Sequence, residues 1–326
     1  MRILVTGGSG FLGTRLVAQL LASGHEVLAL ARSTTSQRKL AAMGASPVPG
    51  DLEGGRLDLP PVDAVVHAAA LFHFAGPRAP YFRTNVEGTK ALLDAASRAG
   101  AKTFVCVSAA GIIMDDRGSP VRLADESAPT QPRSFSPYLA SKAQAEAAVL
   151  AANRPGFRTV ALRPPAIWGP GDMWSRELPK AIASRQFGFI DRGDYAYATC
   201  HVDNLVEAIG CALECGTGGR AYFVNDRETL TFRDFVRMVA SLEDLSIDRL
   251  PSMPYGAAFF VGRMLEGVWA LLRRPGDPPL SRSMVRMIGR EFTTSDAAAR
   301  HELGYIGKVS TEEGLQRYRA KELVTA

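Results

Sequence analysis

The segment Thr6-Gly7-Gly8-Ser9-Gly10-Phe11-Leu12-Gly13 constrains this chain more than any other. It follows a short apolar run, Arg2–Val5, and opens an apolar-periodic stretch, Phe11–Ser23, with Gly24 as its stop. Glycines at 7, 10 and 13 allow a tight turn between strand and helix and bring bare backbone close to a ligand. The helix N-terminus behind them offers N–H donors and a positive dipole. A Gly-rich turn in a strand–turn–helix context predicts a dinucleotide pyrophosphate site made by Gly7, Gly10, Phe11, Leu12 and Gly13.

Strands alternate with helices through the first half. Strands are predicted at Glu26–Ala31, Ser46–Pro49, Ala64–His67, Thr103–Val107 and Thr159–Leu162, and helices at Phe82–Ala99 and Tyr138–Asn153. Such alternation implies βαβ units and a parallel sheet. The expected fold is α/β, a Rossmann-type doubly wound parallel sheet with a smaller, mostly helical C-terminal substrate lobe. Residues 1–170 and about 198–218 are assigned to the sheet domain, and 171–197 and 219–326 to the lobe. After Gly171, helices are expected at Val202–Glu214, with Asp203 as a candidate N-cap, and at Thr231–Leu242, and a strand at Ala221–Val224.

Composition narrows the partners. Of 326 residues 46% are apolar, which suits a large core, and the net charge of +5 is dispersed. No like-charge run suggests a nucleic-acid arm. No apolar stretch reaches the roughly 20 residues of a membrane span, and Met1–Gly13 reads as a strand and turn rather than a signal peptide. Cys106, Cys200, Cys211 and Cys215 show no metal-ligand spacing, so no metal is expected, and a reduced, cytoplasmic protein fits best.

A dinucleotide fold usually carries an acid about 20 residues after the loop, on the adenosine ribose. Here the second strand ends in Arg32-Ser33, and no acid lies between Glu26 and Asp51. A guanidinium pairs with phosphate through its planar fork, so a 2′-phosphate is expected there and NADP(H) is preferred over NAD(H). Asp51-Leu52 is placed near the adenine, and Ala68-Ala69-Ala70 forms a small-residue floor.

Tyr138 and Lys142 stand at i and i+4, one turn apart on one helix face. A nearby ammonium favours the phenolate and is expected to lower the phenol's pKa. The pair can trade a proton with a carbonyl or alcohol oxygen, and the lysine can also reach the nicotinamide ribose.

Together with Asn85-Val86-Glu87-Gly88-Thr89, Ser136-Pro137-Tyr138, Leu162-Arg163-Pro164, Trp168-Gly169-Pro170-Gly171 and His201-Val202-Asp203, these motifs span about two-thirds of the chain. The sequence resembles an extended short-chain dehydrogenase/reductase of the NAD(P)-dependent epimerase/dehydratase superfamily. Within it, the sequence is most similar to the 3β-hydroxysteroid dehydrogenase-like branch, which includes bacterial β-keto acid reductases. Asp277–Arg282 and Glu302–Tyr305 support that branch. The resemblance implies Tyr138 as acid/base and Lys142 as its partner, with Val107, Pro164 and Ile167 beside the cofactor. It also implies a serine or threonine hydroxyl at position 109, where this chain has Ala109. Ser108 is the nearest substitute and is taken as the third catalytic residue. Ser136 reaching in, or a missing donor, are the alternatives.

Phe72, His73, Ala109 and Trp174 are candidates for lining the substrate pocket. His201 is expected to stabilise a helix start rather than do chemistry. Leu250–Arg274 carries a broad apolar face and a narrow polar stripe of Arg263, Glu266 and Arg273. Three readings apply: packing against the sheet edge, a lid over a large apolar substrate, or peripheral membrane contact through 255–274. The expected activity is interconversion of a ketone and a secondary alcohol on an apolar, sterol-like or long-chain substrate. A nucleotide-sugar epimerase or dehydratase and a catalytically weak NADP(H)-sensing protein are the competing readings, and a homodimer is left open. Arg32 and the apolar second lobe weigh against the first competitor, and the retained Tyr138/Lys142 pair weighs against the second.

Overall fold

The computed structural model describes residues 1–274 and 276–325. Its centre is a seven-stranded parallel sheet of β1 (Arg2–Thr6), β2 (Glu26–Ala31), β3 (Ser46–Pro49), β4 (Ala64–His67), β5 (Thr103–Val107), β6 (Arg158–Arg163) and β7 (Arg220–Phe223). The spatial order is β3-β2-β1-β4-β5-β6-β7. Strand alternation explains why both faces are covered. Ile3, Val5, Ala64, Val66, Val105 and Val107 enter one apolar cluster, and Leu4, Val65, Phe104 and Cys106 enter another on the opposite face. The first cluster is closed by α1 (Phe11–Ala22), which buries Gly13, Leu16, Val17 and Leu20 at helical spacing. The second takes Leu92, Leu93 and Ala96 from α3 (Gly88–Arg98).

Two expectations about chain order change here. Residues 220–223, expected in the smaller lobe, are the seventh strand of the large sheet and pair with β6. Conversely, Val121–Ala124 leaves the first half to pair with Phe292–Thr294 in a four-stranded sheet of the lobe. The lobe therefore combines helices with a small sheet. A further helix, α2 (Thr34–Ala42), follows Arg32-Ser33; it buries only Leu40 and so shows no apolar periodicity. The predicted helix Phe82–Ala99 is wider at its start, with π-helical turns at Phe82–Glu87 before α3.

The helix carrying the tyrosine, α4 (Pro137–Ala151), is fixed at both ends. The Ser136 hydroxyl accepts a bond from Leu139 N, and Pro137 occupies the first turn. Farther along, Arg163 on β6 grips the Glu146 carboxylate through Nε at 3.0 Å and Nη2 at 2.6 Å, both side chains being buried. Helix α6 (Val202–Glu214) packs on the sheet beside α1, sending Leu205, Ala208, Ile209 and Ala212 into the first cluster, and the lobe adds α5 (Met173–Ala183), α7 (Phe232–Ala240), α8 (Tyr255–Leu271), α9 (Arg282–Ile288) and α10 (Thr311–Thr325). Its core gathers Trp168, Phe189, Phe232, Phe235 and Tyr318. All four cysteines are free thiols, Cys106 and Cys200 being buried.

Candidate active site

The Gly-rich loop is held by its own backbone. Gly7 has φ +73°, and a Cβ there would lie 2.8 Å from Ala69 N. A Cβ on Gly13 would collide with Gly7 O. Gly10 N donates to Gly7 O at 3.0 Å, and Gly10 is the N-cap of α1, which has no side-chain cap and no acid in its first turn. Its leading N–H groups are thus left to whatever the loop cradles.

Beneath the loop lies a relay that the motifs alone did not reveal. Ala69 N donates to Thr6 Oγ1 at 3.2 Å, which pairs with His67 Nδ1 at 2.7 Å. His67 Nε2 pairs with Thr89 Oγ1 at 2.9 Å, and that hydroxyl donates to Asn85 O at 2.6 Å. With Thr89 spending its proton on Asn85, the imidazole proton is assigned to Nε2, so Nδ1 accepts from Thr6. Burial, with the Lys142 charge adding, pushes His67 down to about 3, so the ring is neutral. The relay pins the Ala68–Ala70 floor to β1.

At the end of β2, Arg32 and Ser33 are exposed, and the Ser33 hydroxyl caps α2 by accepting from Ser36 N at 3.2 Å. The Asp51 carboxylate accepts from Glu53 N at 3.1 Å and caps a short 3₁₀ turn, in which Leu52 is buried. Glu53 is held below the ordinary carboxylate range mainly by bonds from Thr84 and Arg83, with Arg32 a weaker contributor.

Tyr138 and Lys142 lie where β5 ends. Lys142 is buried, and its ammonium donates to Val107 O at 2.6 Å. The Tyr138 ring meets Phe72 edge-on, with centroids 4.7 Å apart. Burial, reinforced by Cys106, raises the phenol's pKa above its ordinary value. This corrects the expected lowering: the ammonium is engaged with a carbonyl, and desolvation dominates. Asn85 spans the gap between the tyrosine helix and the β4 loop. Its amide donates to Ser141 Oγ at 2.9 Å and to Leu71 O at 3.0 Å, while its Oδ1 accepts from Leu71 N at 2.7 Å. The signal for Asn85 was its place in the quoted Asn85–Thr89 segment, which named no role.

Ser108 follows directly. Its N–H donates to Leu162 O at 2.7 Å, and its buried hydroxyl has no partner among the described residues. Ala109, beside it, is extended and offers only a methyl group. The Ser136 hydroxyl is committed to capping α4. Pro164 O accepts from Ala110 N at 2.8 Å, and Ile167 lies on Ala166–Trp168, a short strand paired with Thr199–His201.

Ala109, Tyr138 and Trp174 all border the lobe's apolar core, Trp174 meeting Phe235 edge-on at 5.2 Å. His73 is exposed, 3.8 Å from the Asp277 carboxylate. Asp277 itself accepts from Phe74 N at 3.0 Å and Ala75 N at 2.9 Å, tying the Phe72–Ala75 loop to the lobe. His201 starts α6: its Nδ1 accepts from Asp203 N at 3.2 Å, so His201, not Asp203, is the N-cap.

Comparison with known proteins gives the family. A sequence model of the NAD dependent epimerase/dehydratase family matches residues 3–224. A 4-hydroxy-2-methyl-3-oxo-4-farnesyl-3,4-dihydroquinoline-1-oxide ketoreductase of Stigmatella aurantiaca is 39% identical, over 98% of this chain and 96% of its own. A 2-alkyl-3-oxoalkanoate reductase of Stenotrophomonas maltophilia is 34% identical, over 98% and 99%. A 3-beta-hydroxysteroid dehydrogenase of Mycolicibacterium neoaurum is 31% identical, over 96% and 89%. A dTDP-glucose 4,6-dehydratase from Streptomyces venezuelae, solved with NAD, shares the fold at TM-score 0.75 and 24% identity, over 99% and 98%. With a family match over more than half its length and full-length oxidoreductase relatives, the chain belongs to the NAD dependent epimerase/dehydratase family.

Proposed function

We propose that this chain is an NADP(H)-dependent ketoreductase acting on an apolar keto substrate, long-chain, prenylated or sterol-like. The observation that carries the reading is the convergence of Tyr138, Lys142 and an unpartnered Ser108 hydroxyl where β5 ends, against the lobe's apolar core. The fit to a dinucleotide rests on the side-chain-free start of α1 and on the glycine positions that admit no Cβ. Gly7–Gly13 would hold the pyrophosphate, Arg32 and Ser33 the 2′-phosphate, Asp51 and Leu52 the adenine side, and Ala68–Ala70 the floor. The hydride for ketone reduction comes from the nicotinamide of the bound dinucleotide.

The chain's own groups do the rest. The Tyr138 phenol, raised by burial, stays protonated in the neutral range, so it is set to give its proton to a carbonyl oxygen as charge develops there. A hydroxyl at Ser108 donates to that same oxygen. Lys142, anchored on Val107 O, has ammonium protons left for a ribose and the phenol. Phe72 and Trp174 offer apolar walls, which suits the alkyl and farnesyl groups in the relatives' names. The test follows NADPH oxidation with 2-alkyl-3-oxoalkanoates, farnesylated quinolones and 3-ketosteroids. Turnover of nucleotide sugars instead, or tight NADPH binding with no turnover of any ketone, would reject the reading.

A further inference from the structure

We propose that the outward face of α8 docks flat onto an anionic phospholipid membrane. The helix is seated on the protein by a narrow face. Tyr255, Ala258 and Gly262 are its buried residues, and a Cβ on Gly262 would lie 2.9 Å from Ser281 C. Phe259 packs beside them, but most of the helix's other large apolar residues point the other way. Phe260, Met264 and Leu271 are 64%, 56% and 82% exposed, and Val261, Val268 and Leu272 are exposed beside them. Their spacing, i, i+1, i+4, i+8, i+11 and i+12, gathers them on roughly a third of the circumference. A water-facing helix places its residues the opposite way round, and a contiguous apolar ridge of this kind marks an interaction site.

Charge selects the occupant. Arg263 on the helix and Arg273 and Arg274 just past its end are exposed, and the Arg274 guanidinium lies 5.1 Å over the Trp269 ring. Glu266, the only acid of the helix, is taken by Arg282, which it meets at 2.7 Å through Nε and 2.8 Å through the backbone N–H. Lipid phosphates complement this cationic rim. A second copy pairing through the same face would oppose arginine to arginine. At 17 residues the helix is about 25 Å long, and no helix among the described residues is long and apolar enough to cross a membrane. Lying in the headgroup zone is the geometry left.

Flotation of the full chain with vesicles of phosphatidylglycerol and phosphatidylcholine in equal parts, and with phosphatidylcholine alone, tests it. The expected result is salt-sensitive binding that favours the anionic vesicles. Phe260→Ser and Leu271→Ser should each weaken it on the order of tenfold. Arg263→Gln should weaken binding to the anionic vesicles by about fivefold. All three side chains are exposed, so circular dichroism and NADPH binding should match the parent, and Met264→Gln serves as a second variant if one misfolds. No vesicle binding at low salt overturns the proposal, as does binding unchanged by the serine variants. A parent dimer that Leu271→Ser dissociates, with no vesicle binding, also overturns it.

Discussion

The Lys142 ammonium reaches across from α4 to donate to Val107 O, the last carbonyl of β5, at 2.6 Å. A buried cation is costly without such a partner, so the lysine is fixed to the sheet before any ligand arrives. Lys142→Ala should therefore impair NADPH affinity and turnover together. Tyr138→Phe should lower turnover by about 10²–10⁴ and leave the NADPH Kd unchanged. Steady-state kinetics beside fluorescence titration checks both; a fully active Phe variant would refute the proton-donor role.

Arg32 stands exposed at the end of β2 with no acid next to it in sequence. The parent protein should bind NADPH more tightly than NADH, and Arg32→Asp should erase or reverse that order. Titration with both cofactors decides, and equal affinities in the parent would count against a phosphate role.

Ser108 keeps a buried hydroxyl without a partner, whereas Ser136 spends its own on capping α4. Ser108→Ala should cost about 10²–10³ in kcat for a ketone. Ser136→Ala should instead destabilise the fold by about 1 kcal/mol. Ala109→Ser should be neutral or harmful if Ser108 serves, and a rise in kcat would show that the donor belongs at 109. The three kinetic profiles with matched urea melts separate these cases.

Glu146 and Arg163 form a buried, multiply bonded pair beneath the tyrosine helix. Glu146→Gln leaves a buried guanidinium without its counter-charge and should destabilise the protein by about 3–5 kcal/mol. Denaturant unfolding at neutral pH measures it; a loss under 1 kcal/mol would mean that water reaches Arg163.

His67 is neutral in the fold, with its pKa pushed from 6.5 down to about 3. The unfolded chain then binds the extra proton between those values. Stability is complete above pH 6.5 and falls with acidification at up to about 1.4 kcal/mol per pH unit. Between pH 6.5 and 5, above most carboxylate titrations, His67→Gln should flatten this dependence in urea melts. An unchanged slope would assign the effect elsewhere.

Most of the sheet was legible because its inner strands are buried on both faces and read as apolar runs; Glu26–Ala31, Ala64–His67 and Thr103–Val107 fall where expected, as does the half-exposed edge strand Ser46–Pro49. Helix α2 was not legible, since one buried leucine makes no period. Tyr138 and Lys142 were found through spacing, yet spacing is blind to burial, which decides the phenol's pKa. The Thr6–His67–Thr89–Asn85 relay joins residues from three separate segments, and no local pattern announces it. For α8 the apolar stripe was visible, but a stripe does not say whether protein covers it. The structure turns it outward.

Asp277 meets Phe74 across 203 positions of the chain. Contacts of such separation close the largest loops, so they form after local structure has settled. The cradle, relay and tyrosine helix need nothing beyond β6 for their mutual bonds, and Tyr81 already holds His73 O and Ala75 O, whereas the Phe74 and Ala75 N–H groups wait for the chain's last fifth to arrive. During synthesis, then, the candidate site is expected to assemble before the far side of its rim is tied down. A chain stopped short of Asp277 would keep the Tyr81 tether but lose the carboxylate that holds Phe74 and Ala75, leaving the Phe72–Ala75 loop easier for a protease to cut.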